Sequence, residues 1–383
     1  MNKQKGIFKY VFLVFAVVIV VADLCLILMH GRSFSENENR MLQQFPEVTK
    51  RSALSGRLMT QAEDFVADQF FLRDNWIALK LDIDKLIGKK ESNDVYLGKD
   101  GYLVEKAAAP NFEDMDRNLE AVKEFASAYD LNMVMTVVPN AVCVREDLLP
   151  EGAPTRDQRE DLAYIQSKLG DALVFADVTN ALTAHKDENL YYKSDHHWTS
   201  LGAKYAFDAL CAPLGIEAPV SNYDIMKVTD SFSGTLASNS GDFKVSDEID
   251  IYVPIVKSTD ESDAFEYVVE YGDIQQKSAT IYNSAALATK NKYEVFMGGN
   301  YSYVSIKTTA QSEKNLLLFK DSYANTFVQF LLPYYRNIVI IDPRYYSDDC
   351  RKLLSEREIT DVLFLYNMNT FALDNSLAGV LSE

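Results

Sequence analysis

The sequence predicts an α/β fold: a parallel sheet flanked by helices, interrupted by a β-rich insertion and preceded by an apolar N-terminal helix. Three observations carry this. From about residue 115, helix-period stretches alternate with short, nearly continuous apolar runs, the pattern of strands covered on both faces. The alternation stops near residue 220 and resumes near 312, and the stretch between is rich in Ser, Thr, Gly, Asp and short β-branched runs. Ahead of all this, Val11 to Met29 is apolar except for Asp23.

As a helix, that first run would measure about 28 Å, close to the hydrocarbon thickness of a bilayer. Lys3, Lys5 and Lys9 precede it, which favours a cytoplasmic N-terminus and places everything after about residue 31 outside the membrane. The run is long for a cleaved signal, no small-x-small site follows it, and Cys25 lacks the small residue before it that a lipoprotein site needs. Residues 1–30 therefore read as an uncleaved signal anchor, giving a single-pass protein of the cell membrane. The net charge of −18, with no Lys/Arg cluster, argues against nucleic acid as a partner. Cys143, Cys211 and Cys350 lie far apart without CxxC spacing and read as small buried hydrophobes, not as a disulfide framework or a cysteine-based zinc site.

Residues 31–112 read as a juxtamembrane region. SFSENENRMLQQFPEV is polar and irregular, and LSGRLMTQAEDFVADQFFLRDNWIALKLDIDKLIG carries apolar residues at helical spacing. VYLGKDGYLVE reads as strand, turn and strand, with Lys99, Asp100 and Gly101 at the turn. Residues 113–383 form the main domain. Its first half runs DRNLEAVKEFASAYD (helix), LNMVMTVVPN (strand), TRDQREDLAYIQSKLG (helix), ALVFADVT (strand) and TSLGAKYAFDALCAPLG (helix). The insertion, about 220–312, is a sheet edge with hairpins or a small subdomain. The second half runs NLLLFKDSYANTFVQFLLPYY (strand, turn, helix), NIVIIDPRYY (strand), SDDCRKLLSERE (helix) and ITDVLFLYNMNTF (strand). The two half-sheets together make one domain.

Two stretches could carry chemistry. In LLLFKDSYANTF, Ser322 sits at a strand's carboxyl end and a helix's amino end, where free N–H groups and the helix dipole favour the negative charge that a serine nucleophile generates on its substrate. Ser322 or Asp321 could equally be a plain helix cap. In YYKSDHHWTSLG, an extended backbone puts Asp195 and His197 on one face and turns His196 the other way. Asp195 could then hold His197 in the tautomer a general base needs. Thr199 is a plausible cap for the helix that follows, and Trp198 offers a wall against water or a sugar-stacking surface. A structural role for the histidines and a metal site stand as alternatives; the metal reading is handicapped because His185 is the one other histidine beyond the N-terminal run.

YYKSDHHWTSLGAKYAF and LLLFKDSYANTF together resemble the DHHW protein family, relatives of the SGNH-like acyltransferases that O-acetylate alginate and other exported polysaccharides. SENENRMLQQFP, ADQFFLRDNW, LGKDGYLV, VVPNAVCVREDLLP, FSGTLASNSGD and IDPRYY resemble it too. The resemblance implies a serine O-acyltransferase without a cofactor, with Ser322 carrying the acyl group and Asp195 and His197 completing a triad. It also implies a circularly permuted SGNH fold, since Asp195 and His197 precede Ser322. Lys320 departs from the Gly-Asp-Ser of many SGNH hydrolases. The next two strands end at Arg344 and Asn367, where an oxyanion or substrate ligand is expected; Asn367 is the first candidate for the oxyanion-hole asparagine and Asn300, in MGGN, the reserve. The implied partners are a polysaccharide acceptor and a multipass membrane O-acyltransferase that supplies the acyl group. A carbohydrate acetylesterase with the same triad, or a non-catalytic envelope glycan-binding protein, are the alternatives.

Overall fold

A computed structural model describes residues 8–18, 20–21, 31–256 and 265–382. The expected anchor falls largely outside them; residues 8–18 and 20–21 are helical, and among the described residues no helix is long and apolar enough to cross a membrane. The chain divides into two compact units, Met1–Lys89 with Gly241–Phe243, and Lys90–Ser240 with Lys244–Glu383. The region 31–112 is thus shared between them.

The first unit has helices Lys50–Leu54, Arg57–Asp68 and Arg73–Leu86 and a small hairpin pairing Phe34–Ser35 with Arg40–Met41. The polar segment around it is ordered by charge. The Arg40 guanidinium forks onto Asp68 at 2.5 and 2.9 Å, and Thr49 and Ser52 form a reciprocal cap at the start of the first helix.

The second unit is built on one eight-stranded sheet. Its strands are β1 (Asn132–Val138), β2 (Val174–Phe175), β3 (Tyr267–Tyr271), β4 (Gln276–Ser278), β5 (Tyr303–Thr308), β6 (Asn315–Lys320), β7 (Asn337–Ile341) and β8 (Asp361–Asn367). They lie in the order β4-β3-β5-β7-β6-β8-β1-β2. The five strands β7, β6, β8, β1 and β2 are parallel, while β5, β3 and β4 add on antiparallel. The expected all-parallel sheet is therefore corrected to a mixed one. Part of the insertion forms the sheet edge: β3 and β4 are joined by a short turn, which closes an antiparallel pair without a helical crossover, and β5 pairs antiparallel with both β3 and β7. The half-sheets join where β8, last in sequence, slots between β6 and β1.

Helices cover both faces. One face carries α1 (Phe112–Ala128), α2 (Gln158–Leu169), α5 (Cys350–Glu356), α6 (Met368–Leu373) and α7 (Leu377–Ser382); the other carries α3 (Ser200–Leu210) and α4 (Tyr323–Leu331). In β6, Leu316 and Leu318 pack with Phe207 and Phe327 on one side, and Leu317 and Phe319 with Leu119 and Phe125 on the other. That alternation follows from the two-residue strand period, and a strand apolar on both sides has to be central. On α1 the buried face is Met115, Leu119, Val122 and Phe125, a helical stripe. The ALVFADVT run yields only the two-residue edge strand β2. The rest of the insertion holds an antiparallel pair, Tyr223–Phe232 with Asp247–Pro254, the short helix Thr235–Ser240 and two 3-10 turns, Ser284–Ala288 and Lys292–Val295. The hairpin predicted around Gly101 belongs to a three-stranded sheet, Glu91–Ser92, Val95–Leu97 and Leu103–Glu105. Cys143, Cys211 and Cys350 are buried, and the Cys350 thiol donates to the Val380 carbonyl at 3.1 Å.

Candidate active site

The segment after Leu190 turns back on itself, with Tyr191 bridging antiparallel to Trp198. Thr199 then caps α3 by accepting from the Gly202 N–H at 3.2 Å. Gly202 is required there, since a Cβ would sit 2.4 Å from the Leu190 carbonyl oxygen. Within the turn the backbone is bent, not extended. The His197 N–H donates to Asp195 Oδ1 at 3.0 Å, and His197 Nδ1 lies 2.6 Å from the same oxygen. Asp195 and His197 meet as expected, but through an aspartate-to-backbone turn.

This turn overturns the expectation for His196. Instead of pointing away, its ring lies 3.9 Å from that of His197, and its Nδ1 is 3.7 Å from Asp195 Oδ1. The curl of the turn brings the intervening residue back to the side an extended strand would have denied it.

Ser322 arrives from the other half of the sheet. β6 ends at Lys320, and α4 begins one residue beyond the serine. The capping work falls to Asp321, whose Oδ1 accepts from the Tyr323 N–H at 2.9 Å and Oδ2 from the Asn367 N–H at 2.8 Å. Ser322 makes no side-chain cap bond, which frees its hydroxyl. That hydroxyl oxygen lies 2.8 Å from His197 Nε2. Asp195, His197 and Ser322 thus form a continuous chain from carboxylate to imidazole to hydroxyl, and such a chain can move a proton from Oγ to Nε2 while Asp195 fixes the ring.

The electrostatics fit. Burial, reinforced by the charge of His196, outweighs the opposing pull of Asp195 and lowers the His197 imidazole to about 4. Burial alone would raise the Asp195 carboxyl, but His196, His197 and the Thr235 N–H, 2.8 Å from Oδ2, hold it well below the usual carboxylate range. At neutral pH the pair is a neutral imidazole beside a carboxylate, the state a general base requires. Asp195, His196 and His197 also offer ligand atoms within 4.8 Å of one another, but an ion held through His197 Nδ1 would displace its bond to Asp195 Oδ1.

Much of the housing comes from the insertion, which the sequence reading left without a role. Tyr293 stacks on His197, ring centroids 3.8 Å apart and 12° from parallel, and its hydroxyl donates to the Ser322 carbonyl at 3.0 Å. Asp247 accepts from the N–H groups of Lys193 and Ser194, each at 2.8 Å, and from the Ser194 hydroxyl at 2.5 Å, which pins the turn from outside. Gly234 touches Asp195 so closely that a Cβ would sit 2.3 Å from Oδ2. No local pattern marks these residues, because their partners lie 29 to 96 positions away along the chain.

The remaining candidates divide. Trp198 is not a substrate surface: it is fully buried, donates from Nε1 to the Tyr323 carbonyl at 3.0 Å and packs on Phe327. It anchors the turn to α4 instead. Asn367 caps α6, its Oδ1 accepting from the Asn369 and Thr370 N–H groups at 3.0 and 3.4 Å and from Asn140 Nδ2 at 3.1 Å. Its Oδ1 is thus committed to a cap at a strand-to-helix junction, and its Nδ2 reaches the Val138 carbonyl at 3.5 Å. Arg344 forks onto fully buried Asp342 through Nε and Nη2 at 2.8 and 2.7 Å and faces a cleft that His196 also lines. Lys320 explains its departure from glycine: its buried Nζ lies 3.3 Å from Asp342 and donates to Asn300 and Asn325 at 2.8 and 2.9 Å. Asn300 Oδ1 also accepts from Asn325 Nδ2 at 3.0 Å, so the orientation of its amide is fixed.

The sequence model of the family described as DHHW protein matches residues 113–341. The crystal structure of a DHHW family protein from Eubacterium siraeum is similar over 76% of this chain and 96% of that one, with 25% identity and a TM-score of 0.64. Bacillus cereus PatB1, solved with a sulfonyl adduct, is similar over 73% of this chain and 98% of that one, with 19% identity and a TM-score of 0.60. Among curated sequences, the probable alginate O-acetylase AlgJ of Pseudomonas syringae pv. tomato is 23% identical over 190 residues, 47% of this chain. The match spans about half, 49%, of that relative's length.

Proposed function

The chain belongs to the DHHW protein family, and from that membership together with the site we propose that it is an SGNH-like serine O-acyltransferase that moves acetyl groups onto a polysaccharide through an acyl-Ser322 intermediate. The observation that carries the reading is the hydrogen-bonded chain Asp195–His197–Ser322, at 2.6 and 2.8 Å. The name of the alginate O-acetylase relative supports transfer over plain hydrolysis.

In this mechanism neutral His197 takes the Ser322 proton at Nε2 as Oγ attacks the donor's acyl carbonyl. The departing group leaves with that proton, and the acyl ester remains on Ser322. An acceptor hydroxyl then gives its proton to His197 and attacks the ester, which returns Ser322 as the alcohol. The Ser322 N–H, at the positive end of α4, and the Asn300 amide supply the oxyanion donors, and Arg344 contacts substrate. The first apolar segment anchors the protein, the catalytic unit lies outside the membrane, and a multipass membrane acyltransferase delivers the acyl group.

The test is hydrolysis of p-nitrophenyl acetate by the purified protein, with Ser322→Ala and His197→Ala each expected to abolish it. Mass spectrometry should place one acetyl group on the peptide that contains Ser322. Wild-type rates in both variants would sink the reading.

A further inference from the structure

A cleft of about 790 Å³ opens beside the triad, and its charges bear on which glycan it accepts. His196 lines it, one ring away from the base. Two cations also line it, and both are committed elsewhere. Arg344 forks onto Asp342, a carboxylate it shares with Lys320, and Lys106 Nζ lies 2.9 Å from Glu91 and 3.2 Å from Asp94.

The carboxylates of the wall are not neutralised in the same way. Glu105 Oε2 accepts from the amides of Asn369 at 2.8 Å and Asn140 at 3.4 Å, and Asp374 accepts from the Ser376 N–H and hydroxyl and from the Leu377 N–H. Among the described residues no cation is bonded to either one. Asp94, almost fully exposed at the rim, shares the one Lys106 ammonium with Glu91, so that cluster keeps one carboxylate in excess, and the chain as a whole carries −18. Between the charges the wall offers amides and a hydroxyl, from Asn93, Asn239 and Thr370, beside apolar groups such as Leu236 and Leu373.

A polyuronate carries one carboxylate on every sugar. Each sugar seated here would bring like charge against a wall where carboxylates outnumber cations, and like-charge contact is one device for rejecting a ligand. An uncharged glycan offers hydroxyls instead, which donate to Glu105 and exchange bonds with side-chain amides. We propose that this cleft seats an uncharged, hydroxyl-rich polysaccharide as the acceptor and rejects polyuronates, the acceptor class named for the alginate O-acetylase relative. The proposal rests on the acyl-transfer reading of Ser322 and adds the acceptor class to it.

The experiment compares acetyl transfer from p-nitrophenyl acetate, by the full-length protein, to N-acetylglucosamine or cellulose oligosaccharides and to mannuronate oligosaccharides of matched length. Preference for the uncharged acceptors should be about tenfold or more, the discrimination of a few partly screened like-charge contacts. Glu105→Gln and Asp94→Asn, each of unchanged size, should narrow the ratio of the two transfer rates, and raised salt should narrow it further in the wild type. Equal or better transfer to mannuronate overturns the inference, as does a ratio that neither substitution moves. Acceptors that take no acetyl at all, while ester hydrolysis proceeds, overturn it as well. Absent hydrolysis would instead remove the Ser322 reading, and binding of the same oligosaccharides, followed by saturation-transfer NMR, would then decide the acceptor class alone.

Discussion

Gly234 lies against the carboxylate that orients the base, and replacing it by alanine is the sharpest test of the geometry. The added Cβ would fall 2.3 Å from Asp195 Oδ2 and 2.4 Å from Asp195 Cβ, where ordinary contact begins at 3.4 Å. One partner therefore has to retreat by about 1 Å, and neither is free to do so cheaply. Asp195 Oδ2 is held by the Thr235 N–H, next in the chain to the new methyl group, and Oδ1 by His197. A displacement of about 1 Å in a catalytic group costs on the order of a hundredfold in rate, equivalent to about 2.7 kcal/mol of transition-state stabilisation. The assay is kcat/KM for p-nitrophenyl acetate, with thermal unfolding measured alongside to show that the variant is folded. Gly379→Ala is the control, since nothing lies within 4 Å of a Cβ there. A folded Gly234→Ala protein with wild-type kcat/KM would refute both the packing and the orienting role of Asp195.

Three further outcomes follow from named contacts. His197 works as a base only while neutral, and its pKa is lowered to about 4; kcat/KM should therefore hold through pH 6 and fall as the pH drops through about 4, whereas a midpoint between 6 and 7 would show an unshifted imidazole. Asp342→Asn leaves the buried Lys320 ammonium without its counter-ion and should cost about 3 to 5 kcal/mol in urea unfolding, an unchanged midpoint speaking against a charged Lys320. Tyr293→Phe keeps the ring on His197 and loses only its hydroxyl bonds, so it should retain most activity, while Tyr293→Leu should lose about tenfold in kcat; equal rates in the two would dismiss the stack.

The parts of the site that were legible in the sequence are those whose partners are close along the chain or sit at element ends. Asp195 and His197 are two residues apart, and a carboxylate beside an imidazole suggests its own chemistry. Ser322 was marked by the abrupt change from an apolar strand to a helical stripe. Trp198 misled because residue type states a capability and not a location: an indole serves as well in a core as against a sugar. His196 misled because an alternating pattern assumes an extended backbone, and Asp195 bends it.

Period and composition were enough to set the alternation of strands and helices, the apolar strands that had to be central, the pair of segments that could make a triad and the acidic balance that argues against nucleic acid. Each of these depends on local period or composition. Only the tertiary structure decided that β8 would join the two half-sheets, that the insertion would extend the sheet and supply Gly234, Asp247 and Tyr293 to the triad, and that Lys320 would pair beneath it with Asp342. Those outcomes depend on contacts between residues far apart in the chain. The energy of such a contact belongs to the packed pair, so neither residue carries a sign of it alone.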